Sequence, residues 1–246
     1  MAERIDDLHR RGYKLIQDDE NFRFGSDAVL LSGFAKVKKN ETTLDLGCGT
    51  GVIPVLLCAK TDGKRFTGIE LQQQLADMAR RSVELNGLSG RIDIINGDIK
   101  NIKNIFRASS FDVVTVNPPY VKKGAGVPNE SERMSSARHE TDIDLRGIVS
   151  AAAWVLRYGG RLYMVHKPDR LVEIISLLTE YKLEMKTLRF VQAYADKKPS
   201  MALIEATLHG NPQLAVLPPL VIYKAPGVYT DEVDAIYYGE DIGGIR

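Results

Sequence analysis

Between residues 42 and 209, short apolar runs alternate with stretches of helical spacing. Thr42–Leu46 has strand length and ends at glycines 47, 49 and 51. Val52–Lys60 then opens an apolar helix, and Arg65–Leu71 reads as a second strand. Within Gln72–Asn86, Leu75, Met78, Ala79 and Val83 recur at helical spacing, and Asn86–Gly87 is a helix-stopping pair. Ile92–Ile95 and Phe111–Val116 predict the third and fourth strands; Pro118–Pro119 forbids the fourth from continuing. A polar stretch over 121–140 reads as a long loop. Ile143–Tyr158 predicts a helix closed by Gly159–Gly160, Arg161–His166 a fifth strand and Arg170–Tyr181 another helix. Leu183–Ala193 and Ala202–His209 follow as two strands with no helix between them.

Alternating strands and helices require a parallel sheet with right-handed crossovers and helices on both faces. The last two strands imply a hairpin at one side. The expectation is an α/β fold, a doubly wound and mostly parallel seven-stranded sheet with one antiparallel edge strand. Residues 41–210 form the catalytic domain on this reading. Residues 1–40 are an N-terminal extension that packs on it, and 211–246 a C-terminal extension with a flexible tail. Ligands of such sheets bind beyond the carboxyl ends of the strands. That directs attention to residues 47–51, 70–71, 98–99 and 117–120.

Composition narrows the class. The 246 residues carry 33 basic and 32 acidic side chains, a formal net charge of +1. No apolar run approaches the roughly 18 residues of a membrane helix, and MAERIDDLHRRG lacks the apolar core of a signal peptide. Cys48 and Cys58 cannot make a Cys₄ metal site or a disulfide framework, so no metal is expected and a reduced, cytoplasmic protein is the default. The charge is uneven, however. Residues 157–200 hold nine basic and five acidic side chains, and residues 201–246 two basic and six acidic. A nearly neutral chain can therefore still present a basic face.

Four motifs carry chemistry. Asp45-Leu46-Gly47-Cys48-Gly49-Thr50-Gly51 joins a strand to a helix. Its glycines allow a sharp turn and close approach of a ligand. Val52 stands where a dinucleotide fingerprint needs its third glycine, which disfavours nicotinamide and flavin dinucleotides. Glu70 ends the second strand 19 residues after Gly51, placed to accept hydrogen bonds from ribose hydroxyls. Asp98 after the third strand can accept from an exocyclic amine, cap a helix, or both; Ile99 can cover one face of an adenine. Asn117-Pro118-Pro119-Tyr120 follows the fourth strand. Its prolines remove two N–H donors and leave the Asn117 amide oxygen and the Pro118 carbonyl as acceptors beside the Tyr120 ring. Two acceptors beside an aromatic face suit a planar group bearing an NH₂.

Asp-x-Gly-x-Gly-x-Gly together with Asn-Pro-Pro-Tyr resembles the class I S-adenosylmethionine-dependent amino-methyltransferases, over about residues 40–210. The flanks narrow the resemblance. Gln17, Phe22-Arg23-Phe24-Gly25-Ser26-Asp27-Ala28-Val29-Leu30-Leu31, Ala137-Arg138-His139-Glu140, Pro219–Tyr223 and Tyr229-Thr230 look like the bacterial valine-tRNA adenine-N6 methyltransferases. The resemblance implies a Rossmann-like methyltransferase fold with S-adenosyl-L-methionine as cofactor and tRNA as partner. The substrate would be the adenosine after the anticodon, position 37. By implication Asp45, Gly47, Gly49 and Gly51 surround the amino-acid part of the cofactor, Glu70 takes its ribose, and Leu71, Asp98 and Ile99 hold its adenine. Asn117, Pro118 and Tyr120 would be catalytic, with Asn117 also beside the cofactor and Pro119 beside the substrate.

Lys122, Lys123, Arg138, Lys197 and Lys198 are candidate phosphate contacts, against the plainer reading of solvated loop residues. His166 reads as a structural histidine. Three rivals share the motifs: a glutamine methyltransferase of release factors, an rRNA guanine-N2 methyltransferase, and a non-catalytic cofactor-binding subunit. The first usually carries a helical domain that 40 residues before Asp45 cannot hold. The last has no reason to keep Asn117 and Tyr120.

Overall fold

The computed structural model describes residues 3–18, 25–120 and 144–239. A hairpin, β1 (Glu3–Asp7) and β2 (Lys14–Asp18), comes first, then helix α1 (Ser26–Phe34). The alternating core follows: β3 (Thr42–Leu46), α2 (Val52–Lys60), β4 (Arg65–Glu70), α3 (Gln73–Leu85), β5 (Ile92–Asn96), the one-turn α4 (Ile102–Ile105) and β6 (Phe111–Val116). After it come α5 (Leu145–Val155), β7 (Leu156–His166), α6 (Leu171–Glu180), β8 (Leu183–Gln192), β9 (Met201–Leu208) and β10 (Ala215–Val221). A small ribbon, β11 (Tyr223–Ala225) with β12 (Val228–Tyr229), leads to α7 (Asp231–Tyr238).

The main sheet has the order β10-β8-β9-β7-β6-β3-β4-β5. β3 through β7 pair parallel, and β9 runs antiparallel to both β7 and β8. The doubly wound sheet with one reversed strand is therefore present, with two corrections. It has eight strands rather than seven, because β10 adds parallel to β8. The reversed strand β9 consequently lies inside the sheet, not at its edge. The run in β10 contains Pro218–Pro219, which an interior strand excludes; an edge position with a bulge between Leu217 and Leu220 accommodates them. The helix expected over 143–158 ends at Val155, because Leu156 already pairs with Phe111.

Both sheet faces are covered. Leu46, Val114, Val116 and Met164 pack under α5 and α6, while Val113, Tyr163 and Val165 pack under α1 and α2. Alternate residues of β6 thus enter opposite cores, which is why the strand reads as a continuous apolar run. α1 is buried on most of its circumference: Asp27, Ala28, Val29, Leu30, Leu31 and Ser32 are all buried. The hairpin is fastened to α3: Ile16 N–H donates to Ser82 Oγ at 2.9 Å, and Lys14 and Asn86 exchange two bonds. No helix among the described residues is long and apolar enough to cross a membrane.

Candidate active site

The sheet is wound outward from its middle in both directions. β3 leads to β4 and β5 on one side, and the chain then returns to β6 and β7 on the other. Two adjacent strands thus send their connections to opposite sides, opening a crevice between β3 and β6. Leu46 pairs with Val116, so the glycine loop and Asn117-Pro118-Pro119-Tyr120 leave the sheet side by side. Between them lies a cleft of about 700 Å³, its open mouth included. Gly47, Cys48, Gly49, Glu70, Ile99, Asn117, Pro118 and Pro119 line it, with Ala28 from α1, Gln72 before α3 and Ile148 from α5.

The glycine loop turns its amides inward. Gly47 and Cys48 N–H both donate to the Ile69 carbonyl, Gly51 N–H donates to the Cys48 carbonyl, and Gly49 N–H donates to Glu70 Oε2 at 2.9 Å. Those four amides do not form an anion cradle. Gly47 has φ +72°, and a Cβ there would meet nothing within 4 Å, so its α-carbon borders open space. Gly51 has φ +87°, and a Cβ there would lie 3.2 Å from Ala79 Cβ. Gly51 therefore permits close packing of α2 on α3 and does not line the cleft.

Two buried carboxylates stand beneath the loop. Glu70 also accepts from Gln72 N–H at 2.9 Å. Asp45 Oδ1 accepts from Thr115 Oγ at 2.7 Å, while Asp45 Oδ2 is buried with no hydrogen-bond partner among the described residues. Burial, helped by the Glu70 charge, pushes the Asp45 carboxyl up to about 7. A pocket lined by Glu70, with Asp45 buried behind the loop and the loop amides turned inward, repels phosphate and attracts a cation. S-adenosylmethionine, whose sulfonium and ammonium groups are positive, fits this polarity; a dinucleotide does not.

The second motif is held from α1. Tyr120 Oη lies 2.7 Å from Asp27 Oδ2 and 2.9 Å from Asn117 Oδ1. The Tyr120 ring meets His166 edge-on at 5.4 Å, and Lys167 Nζ lies 6.0 Å over it. Burial, with Arg170 nearby, lowers His166 to about 4, and its Nδ1 accepts from Lys167 N–H. His166 is thus neutral at physiological pH, with its proton on Nε2.

The structure brings Gly47, Gly49, Glu70, Ile99, Asn117, Pro118 and Pro119 to one cleft. Asp45 lies under the loop. Asp98 caps the short turn after β5 by accepting from Lys100 N–H at 2.9 Å, and Leu71 is exposed just past Glu70. Lys197 and Lys198 lie exposed between β8 and β9, on the same sheet edge as Asn117, since β8 runs parallel to β6 through β7 and β9. Lys197 Nζ is 3.1 Å from Asp196. Lys122, Lys123 and Arg138 lie outside the described residues, as do the 121–140 loop, Phe22–Phe24 and the tail beyond Gly239.

Gln17 and Asp27, which in the sequence mark only the family resemblance, also reach the site. Gln17, fully buried, donates from Nε2 to Thr50 Oγ1 at 2.7 Å and ties the hairpin to the glycine loop. The signal for Asp27 was local: an acid after Gly-Ser, opening an apolar run, marks a helix start near the site.

The profile of the methyltransferase small domain family matches residues 20–191. A tRNA1(Val) (adenine(37)-N6)-methyltransferase of Porphyromonas gingivalis is 29% identical over 221 residues, covering 85% of each chain. One from Haemophilus influenzae is 26% identical, covering 89% of this chain and 91% of its own. A predicted O-methyltransferase from Agrobacterium tumefaciens superposes with a TM-score of 0.71 at 22% identity, over 87% of this chain and 96% of that one. Geranyl diphosphate C-methyltransferase from Streptomyces coelicolor, solved with S-adenosyl-L-homocysteine, gives 0.55 at 15% identity, over 74% and 78%. With the matched profile spanning both the glycine loop and Asn117-Pro118-Pro119-Tyr120, the chain belongs to the methyltransferase small domain family.

Proposed function

We propose that the protein transfers a methyl group from S-adenosylmethionine to N6 of an adenosine in tRNA, namely the adenosine at position 37 of valine tRNA. The observation that carries this reading is the placement of Asn117-Pro118-Pro119-Tyr120 at the rim of the Glu70-lined cleft, directly beside the glycine loop. The names of the full-length relatives support the tRNA and the position.

Bound S-adenosylmethionine supplies a methyl group activated by the sulfonium. Glu70 offers carboxylate oxygens to the ribose hydroxyls, and Asp98 and Ile99 an acceptor and an apolar face to the adenine. The acids below attract the cationic end. The exocyclic amine of adenine is a poor nucleophile, because its lone pair is delocalised into the ring. Asn117 and the Pro118 carbonyl accept its two N–H groups, favour a pyramidal nitrogen, and turn the lone pair toward the methyl carbon. The same acceptors stabilise the positive charge that develops on nitrogen, at no reorganisation cost. Holding both reactants in line supplies much of the remaining acceleration. The new N–C bond forms as the C–S bond breaks, the electron pair goes to sulfur, and the methylated nitrogen then releases a proton to water. No strong base is required, consistent with a His166 that is neutral and already bonded. Tyr120 offers its ring to a base lifted out of the anticodon loop, where extrusion is cheap. Pro119 abuts the same base. Lys197 and Lys198, with Lys122, Lys123 and Arg138, are the proposed phosphate contacts.

The test is transfer of a labelled methyl group from S-adenosylmethionine to purified valine tRNA, total rRNA and release factor in parallel, with digestion of labelled RNA to nucleosides. N6-methyladenosine from the tRNA is expected. Label confined to guanosine or to glutamine overturns the reading. Asn117→Ala should lower kcat about 100-fold or more while leaving cofactor affinity within about threefold.

A further inference from the structure

We propose that Asp27 is a positioning residue, which acts through Tyr120 to set the Asn117 carboxamide with its oxygen toward the transferring amine. The proposal rests on the adenosine reading above and adds a residue that the motif does not contain.

The Tyr120 hydroxyl has one hydrogen and, among the described residues, two acceptor oxygens within reach, Asp27 Oδ2 at 2.7 Å and Asn117 Oδ1 at 2.9 Å. It can donate fully to only one. A carboxylate is the stronger acceptor and forms the shorter bond. With the proton on the Asp27 side, an Asn117 oxygen facing the phenol oxygen would place two acceptors in contact without a hydrogen between them. The carboxamide resolves this by turning about its last torsion, so that its NH₂ donates to the phenol oxygen. Oxygen and nitrogen of an amide have nearly the same shape, and only their bonding distinguishes them. The turned amide presents its oxygen at the other corner, for the cleft that Asn117 lines. Without the carboxylate, the phenol would donate to Asn117 and occupy the acceptor needed for the amine.

The carboxylate is itself aimed. Asp27 is buried, and its Oδ1 accepts from Ala28 N–H at 2.8 Å, which turns Oδ2 toward Tyr120. Gly25 leaves the room: a Cβ there would come within 2.6 Å of Asp27 Oδ1. A purely structural Asp27 in the first turn of α1 would stabilise the helix against its dipole and affect stability alone.

The test is a double-mutant cycle on the full chain with valine tRNA, using D27N, Y120F and the double variant. Melting temperature, kcat, KM for tRNA and affinity for S-adenosylhomocysteine are measured for each. D27N should lower kcat by about 10- to 100-fold, the range of one hydrogen bond to a charged group, with KM and cofactor affinity within about threefold. Y120F keeps the stacking ring and the helix contact of Asp27, and should also lower kcat with KM held. In the Y120F background, D27N should cost less than about threefold more, because its route to Asn117 is gone. Full kcat in Y120F, or additive losses in the double variant, overturns the proposal even if D27N folds poorly. A wild-type chain that does not methylate adenosine overturns the adenosine reading instead, and this proposal with it.

Discussion

Gly49 donates its backbone N–H to Glu70 Oε2 at 2.9 Å, so one carboxylate closes the glycine loop and faces the cleft at once. Glu70→Ala removes both functions and leaves a buried amide without its acceptor. The expected cost to cofactor binding is about 2–3 kcal/mol, or roughly 30- to 150-fold in Kd. Titration calorimetry with S-adenosylhomocysteine reads it directly. An unchanged Kd would remove Glu70 from the cofactor site.

Asp45 is the pH-sensitive acid behind the loop. Burial beside Glu70 raises its carboxyl to about 7, so near neutrality it is partly protonated. A cationic ligand brought above it favours the charged form, and binding must then release a proton. At pH 6.5, calorimetry in buffers of different ionisation heat should show net proton release on binding S-adenosylmethionine. Asp45→Asn should abolish the release. Proton uptake by the wild-type protein would contradict the assignment.

His166 gives acid sensitivity to the fold. Its pKa is about 4 in the folded chain and about 6.5 when unfolded. As pH falls below 6.5 the unfolded chain takes up the proton first. The stabilisation present above pH 6.5 is therefore lost progressively down to pH 4, on the order of 3 kcal/mol in all. Urea unfolding at pH 7, 5.5 and 4.5 should show this loss, and His166→Gln should flatten the curve by the equivalent of one proton. Equal slopes in both proteins would show that the histidine already titrates normally.

Lys197 and Lys198 lie on the sheet edge that Asn117 shares. Replacing both with Ala should reduce the slope of log K against log salt for tRNA binding by about 1.4–1.8, that of two lost phosphate contacts. Activity at saturating tRNA should be kept. A slope that does not change makes them solvated residues, which the Lys197–Asp196 pair would explain.

The central strands were legible because burial on both faces leaves local runs of apolar residues: Thr42–Leu46 and Phe111–Val116 stand at the predicted bounds. The candidate site was legible for a related reason. Gly47 and Asn117 each follow a strand and Glu70 ends one, and a parallel sheet gathers its strand ends along one edge. α1 was not legible. A nine-residue segment buried on nearly every side, its polar Asp27 and Ser32 included, has no period to read, and its stability comes from α2 and β7, distant in sequence. β10 was hidden by its prolines, which only an edge position permits.

The sequence by itself therefore determined the strand order in the chain, the loops that carry chemistry, and the side chains available at each, because these follow from local period and from glycine and proline geometry. Only the tertiary structure decided that Asp27 reaches Tyr120, that Gln17 holds Thr50, and that one Asp45 oxygen under the loop has no hydrogen-bond partner among the described residues. The two contacts join residues 93 and 33 positions apart, and the state of the Asp45 oxygen depends on how deeply that carboxylate is buried. Neither property has a local signature, because each is set by how the layers pack.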